Sequence, residues 1–141
     1  MGRLDKPEVR VSLRCEVVRQ AKVISAEEVG KLDSGEVVKF TITSQNVGKA
    51  AAINYETSGP LPAGTVFVPG SLQSDADMTA LFSIDQGKTF AVQPMVPLRQ
   101  PNGTIRQVPA LPENYSHIRF ICQSPLAPGT SRTVSFQVRV R

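Results

Sequence analysis

The side chains able to do chemistry are few. The chain of 141 residues holds two cysteines and one histidine. A single His117 excludes any site that needs two histidines, and as a catalytic base it would need a nucleophile and an orienting acid. No Gly-x-Ser-x-Gly elbow, Walker loop or Gly-x-Gly-x-x-Gly turn occurs in the sequence, so acyl transfer and nucleotide chemistry have no motif behind them. Cys15 and Cys122 match neither a zinc spacing nor a Cys-x-x-Cys redox pair. Asp75 and Asp77, with Asp85 nearby, supply carboxylates, but a calcium loop needs more ligands at fixed spacing and a tight glycine. The segment Ser71–Asp77 therefore reads as a solvated loop. No catalytic residue, metal ligand or cofactor is expected.

Two sets of residues remain. Arg10, Arg14, Arg119, Arg139 and Arg141 share one phase of strand alternation, pointing away from the core. If the first and last strands are neighbours, these arginines form a basic stripe able to hold an acidic glycan, an anionic head group or another polyanion. The plainer account is edge protection, because outward charges discourage strand-to-strand aggregation. Nucleic acid is the weakest partner, since aromatics for base stacking are not interleaved with the arginines. The second set is Cys15 and Cys122, each on the dry phase of its strand. They are either buried free thiols or, if facing positions are in register, a disulfide across the core.

Ser83-Ile-Asp85-Gln-Gly87-Lys-Thr89-Phe90 fits the Asp-box pattern seen in sialidase propellers. One copy cannot build a propeller, which needs several blades. The expectation is a self-contained hairpin in which Asp85 accepts backbone N–H bonds and caps the turn. Asn102-Gly-Thr104 and Asn114-Tyr-Ser116 are glycosylation sequons, which matter only in a eukaryotic secretory protein.

The elements that would carry these residues read as strands. Val9, Val11, Leu13, Cys15 and Val17 alternate with polar residues, and Lys22–Ile24 continues the strand after a kink. Val38, Phe40 and Ile42 alternate in a strand at 36–43. Further strands are expected near 51–57, 65–68, 79–84, 89–92 and 117–123. The last strand, Arg132–Arg141, has Val134, Phe136, Val138 and Val140 on one face. Asn46–Gly48 is read as a turn of positive φ, and Gly59–Gly64 and Pro125–Gly129 as proline-glycine corners. Residues 93–114 hold five of the 11 prolines and form a loop or edge hairpin turning at Asn102-Gly103. The predicted core is Val11, Leu13, Phe40, Ile42, Phe67, Phe120, Phe136 and Val138. About eight short strands and no significant helix predict an all-β fold, a two-sheet antiparallel immunoglobulin-like β-sandwich. The likeness to antibody domains is architectural, since the chain has no tryptophan.

The block GEVVKFTITSQNVGKAAAINYETSGPLPAGTVFVPGS resembles the opening of the DUF11 repeat domain, whose members carry YTITVTNTG, an alanine-rich turn, PLPAG and YVPGS. FSIDQGKTF resembles that family's YSxDGGxTF hairpin, and YSHIRFICQSPLAPGTSRTVSFQVRVR its IRW…LAPG…TVSFRVRV ending. The likeness covers residues 35–141. Residues 1–34 look like an added strand and polar loop, making 1–141 a single domain. The resemblance implies a sandwich module of exported bacterial or archaeal envelope proteins with structural or interaction roles, and it brings no catalytic residues. In such a setting a Cys15–Cys122 bridge becomes an argument for an oxidising compartment.

Composition agrees with a globular domain. Hydrophobic residues make up 40% and charged residues 20%, and the net charge of +4 permits an anionic partner without demanding one. No apolar run approaches the roughly 18 residues that span a bilayer. The opening residues, MGRLDKPEV, lack the apolar core of a signal peptide, leaving a cytoplasmic protein or one whose export signal is not in this sequence. The expectation is a non-enzymatic scaffolding or adhesion module with a protein partner or its own kind. The rival is a polyanion binder working through the arginines.

Overall fold

The computed structural model describes residues 6–19, 22–25, 33–75 and 78–141. These form eleven strands and one three-residue 3₁₀ turn at Pro112–Asn114. The strands are β1 (Val9–Arg19), β2 (Lys22–Ser25), β3 (Val37–Asn46), β4 (Glu56–Pro60), β5 (Thr65–Phe67) and β6 (Gln73–Ser74). They continue with β7 (Met78–Ser83), β8 (Met95–Arg99), β9 (Ile105–Pro109), β10 (His117–Cys122) and β11 (Ser131–Val140). The first sheet has the order β2-β1-β3-β11-β5, with β6 also on β11; the second is β4-β10-β7; β8 and β9 form a separate hairpin. Every pairing is antiparallel. The fold is thus all-β with antiparallel sheets, but with eleven strands in three sheets where about eight in two were expected. The difference comes from short strands, β2 and β6, and from the 93–114 segment, which pairs with itself.

Alternation explains which face is dry. Val134, Phe136 and Val138 of β11 lie directly opposite Ile42, Phe40 and Val38 of β3, so all six point the same way. Directly paired residues also put Val17 of β1 beside Val38. Facing them from the second sheet are Ile118 and Phe120 of β10; with Leu61 and Phe67 these make one buried cluster, against which Phe40 and Ile42 pack partly buried. Ring contacts tie the sheets together: Phe120 to Phe136 at 6.0 Å, and Phe67 of β5 to Phe82 of β7 at 4.9 Å.

Five expectations change. Lys22–Ile24 does not continue β1 but doubles back as β2, antiparallel to it. The strand expected at 89–92 is reduced to a single bridge between Phe82 and Ala91, because the hydrogen bonds of the Asp85 turn occupy Thr89. Val11 and Leu13 were placed in the core and are instead 53% and 61% exposed, because no strand of the second sheet lies over that half of β1. The strand expected near 51–57 starts only at Glu56 and runs through Gly59 to Pro60. The residues before it turn, with Asn54 at φ 56. Asn46 and Gly48 do not supply a positive φ. The Asn46 side chain is fully buried, its Nδ2 donating to the carbonyls of Ala50 and Leu126 at 2.8 Å each. Its Oδ1 accepts from the Gly48 N–H at 2.9 Å and the Glu8 N–H at 3.3 Å. A Cβ at Gly48 would collide with the Glu8 nitrogen and the Lys6 oxygen. The residue is glycine because the N-terminal segment passes directly over it.

Candidate interaction site

The arginines come first. Arg10 and Arg14 lie on the outer side of β1, opposite Gln45 and Thr41 of β3. Arg139 lies on the same outer side in β11, opposite Val37 of β3. The first and last strands are therefore not neighbours; β3 runs between them. Two strand spacings and four residues along the strand put the Arg14 and Arg139 Cα atoms about 17 Å apart. That is beyond a Debye length of about 8 Å at physiological salt. Arg119 belongs to the other sheet, where its guanidinium lies 3.9 Å from the Phe90 ring centroid and its Nε 3.9 Å from Glu56. Arg141 donates from Nη2 to the Glu113 carbonyl at 2.8 Å. The five arginines do not form a stripe: equal phase in sequence does not put residues of different sheets on one surface.

The cysteines are both free. Cys15 lies in the row Cys15–Phe40–Phe136 of the first sheet, and Phe136 is the residue that β10 covers. Cys122 of β10 is therefore displaced from Cys15 by two strand spacings, about 9–10 Å, besides the gap between sheets. A disulfide needs Cα atoms within about 7 Å. The Cys122 thiol donates instead to the Ser124 carbonyl at 3.0 Å, and burial raises the Cys15 thiol above its ordinary value.

The Asp85 turn is internally complete. Asp85 Oδ1 accepts from the Ser83 hydroxyl at 2.7 Å and the Thr89 N–H at 2.9 Å, and Oδ2 accepts from the Thr89 hydroxyl. These bonds hold its carboxyl well below the usual carboxylate range. The Ser83 hydroxyl also accepts from the Gly87 N–H at 2.9 Å, in a bend where Gln86 and Gly87 both take positive φ. His117 packs its ring beside Gly87 and its Nδ1 lies 3.1 Å from the Ser116 hydroxyl. Asp75 is spent on β11, accepting from the Thr133 N–H at 2.8 Å. Asp77 lies outside the described residues. Among the described residues no three His, Cys, Asp or Glu side chains gather as a metal site, and no helix is long and apolar enough to cross a membrane.

The feature that sequence reading missed lies between β1 and β4. An open apolar groove of about 380 Å³ has Val11, Leu13, Phe40 and Ile42 along one wall and Thr57–Pro60 along the other. Ile118, Phe120 and Phe136 close its floor, and no charged side chain lines it. Both flanking strands have an unpaired edge among the described residues. β4 pairs only with β10, and β2 covers β1 only from Glu16 to Arg19, leaving Val9–Cys15 open. Gly59 faces the opening, with nothing within 4 Å of where a Cβ would stand. The signal in the sequence was the alternation of β1 itself, which marks a dry face without saying what dries it.

No protein-family profile, curated protein or solved structure matches the chain. The DUF11 resemblance therefore rests on the residues quoted for it.

Proposed function

We propose that the chain is a non-enzymatic interaction module: an immunoglobulin-like sandwich of the DUF11 kind, serving as a scaffolding or adhesion unit of an exported or cell-envelope protein. The observation that carries this reading is the groove. It joins an uncharged apolar wall to the β4 edge, which has no ladder partner among the described residues. An extended polypeptide meets both needs, with main-chain bonds to the edge and alternate side chains to the wall. The absence of charge from the lining disfavours acid–base work there and suits burial.

A photo-crosslinking residue placed at Leu13 in the native protein tests this. It should join to a polypeptide, and the same residue placed at Thr43 on the outer side of β3 should not. Crosslinks from Leu13 to lipid or glycan alone would overturn the reading.

A second reading, binding of acidic glycans or other polyanions, is favoured by one observation. Arg10, Arg14 and Arg139 stand on the outer side of the first sheet with no ion pair among the described residues. It engages the opposite surface of that sheet from the groove, so the two readings separate by mutation.

A further inference from the structure

We propose that the groove is filled by a second copy of the chain. Two molecules associate about a two-fold axis, each laying the Val9–Cys15 part of its β1 beside β4 of the other. This rests on the interaction-module reading and names its partner.

The second sheet is one strand short. β10 lies over β11, as the Phe120–Phe136 contact shows, and β7 lies over β5 through Phe82 and Phe67. β4 faces β3 across the groove, and among the described residues nothing faces the first half of β1. The missing strand needs a free edge, apolar residues at alternate positions on its inner face and no charge among them. β1 is itself such a strand. Among the described residues its edge from Val9 to Cys15 is open, and Val11 and Leu13 stand exposed on its inner face. The part that is lacking and the part that is spare adjoin one another on a single surface. A two-fold operation therefore satisfies both at once and closes, leaving neither of these two edges to recruit a third molecule. In the pair, the first sheet of each copy runs on into the second sheet of the other. Val11 and Leu13 of the two copies meet across the interface. Gly59 lets the incoming backbone approach β4 closely.

Charge agrees. Glu56 is the only charged residue of β4, on its outer side with the side chain half exposed. The outer side of β1 carries Arg10 and Arg14. Placed beside the partner's β4, β1 brings arginine to the same outer side as Glu56, whose carboxylate already lies 3.9 Å from Arg119 Nε of its own copy, so the incoming arginine shares it as an opposite-charge cross-strand neighbour. The other exposed strands of the chain fit less well. The β8–β9 hairpin offers Leu98 and Ile105, but each lies directly opposite an arginine, Arg106 and Arg99, so neither face of the hairpin is free of charge. A lipid or small apolar molecule would fill the volume and leave the β4 edge unmet.

Sedimentation equilibrium of the 141-residue chain over a concentration series should show a monomer–dimer equilibrium. Leu13→Glu should remove the dimer while the dilute protein keeps its circular dichroism and melting, because the side chain is exposed in a single copy. Arg14→Glu should weaken the dimer by about tenfold, and adding Glu56→Arg to it should recover part of that loss. A synthetic peptide of Glu8–Glu16, carrying Cys15→Ser, should compete with the dimer. A chain that stays monomeric at every concentration, or a dimer that survives Leu13→Glu, overturns the proposal. In either case, Leu13 crosslinks to another polypeptide would still support the interaction module, and their absence would remove both readings.

Discussion

Asp85 shows what one carboxylate does in this fold. The Ser83 and Thr89 hydroxyls and the Thr89 N–H all bond its charged form, so its folded-state affinity for protons drops below the ordinary value of 3.8. A group whose pKa is depressed by folding stabilises the native state above its unfolded pKa and loses that effect as pH falls toward the folded one. Thermal melts from neutral pH to pH 2 should therefore find Asp85→Asn less stable than the parent at pH 7. The gap should narrow as pH falls below about 4, in step with protonation of an ordinary aspartate. A gap independent of pH would mean that the hydrogen-bond geometry, not the charge, holds the turn. The sequence pattern of the Asp-box was sufficient to find this residue, because every partner lies within four positions of it.

At the scale of the element, β1 separates alternation from burial. Val11 and Val17 occupy the same phase of one strand, yet Val17 is fully buried and Val11 is 53% exposed. Val17 sits beside Val38 in the packed cluster, whereas Val11 lies on the rim of the groove. Val17→Ala should cost about 2 kcal/mol in urea unfolding, the transfer of two methyl groups plus an unfilled space. Val11→Ala, measured at concentrations where the chain is monomeric, should stay within about 0.5 kcal/mol. Equal losses would place the second sheet over all of β1 and erase the groove. The same distinction separates β3 and β11, central and covered, from the self-paired hairpin at β8 and β9, whose exposed apolar residues are spread over a projection rather than a core.

For the whole molecule, the placing of charge decides between partners. Arg10, Arg14 and Arg139 are dispersed over the outer side of the first sheet, and Arg119 is engaged with Phe90 and Glu56 on the second. If polyanion binding is a function of this surface, retention on a sulfated polysaccharide should fall with salt. Arg14→Glu with Arg139→Glu should then flatten the log–log slope by about two. Unchanged retention in that double variant would leave the arginines as protection against edge association. The interface proposed at the groove predicts a different salt response, carried by the Arg14–Glu56 neighbourhood and superimposed on burial of Val11 and Leu13 that salt does not screen.

The β class, the dry faces of β3, β10 and β11, the Asp85 turn and the hairpin at Asn102-Gly103 were all legible in the sequence. Each depends on a period of two or on contacts within a few residues. Which dry faces meet was not legible, because that depends on strand order. Inserting β3 between β1 and β11 dispersed the arginines and moved Cys15 two strands from the region that β10 covers. The role of Asn46 was hidden for the same reason: its amide joins Ala50 to Leu126, 80 positions away. Val11 and Leu13 mark the limit most clearly. Their pattern specified an apolar face, but the three described strands of the second sheet do not reach over it, and the count of strands opposite a residue is a property of the folded chain alone.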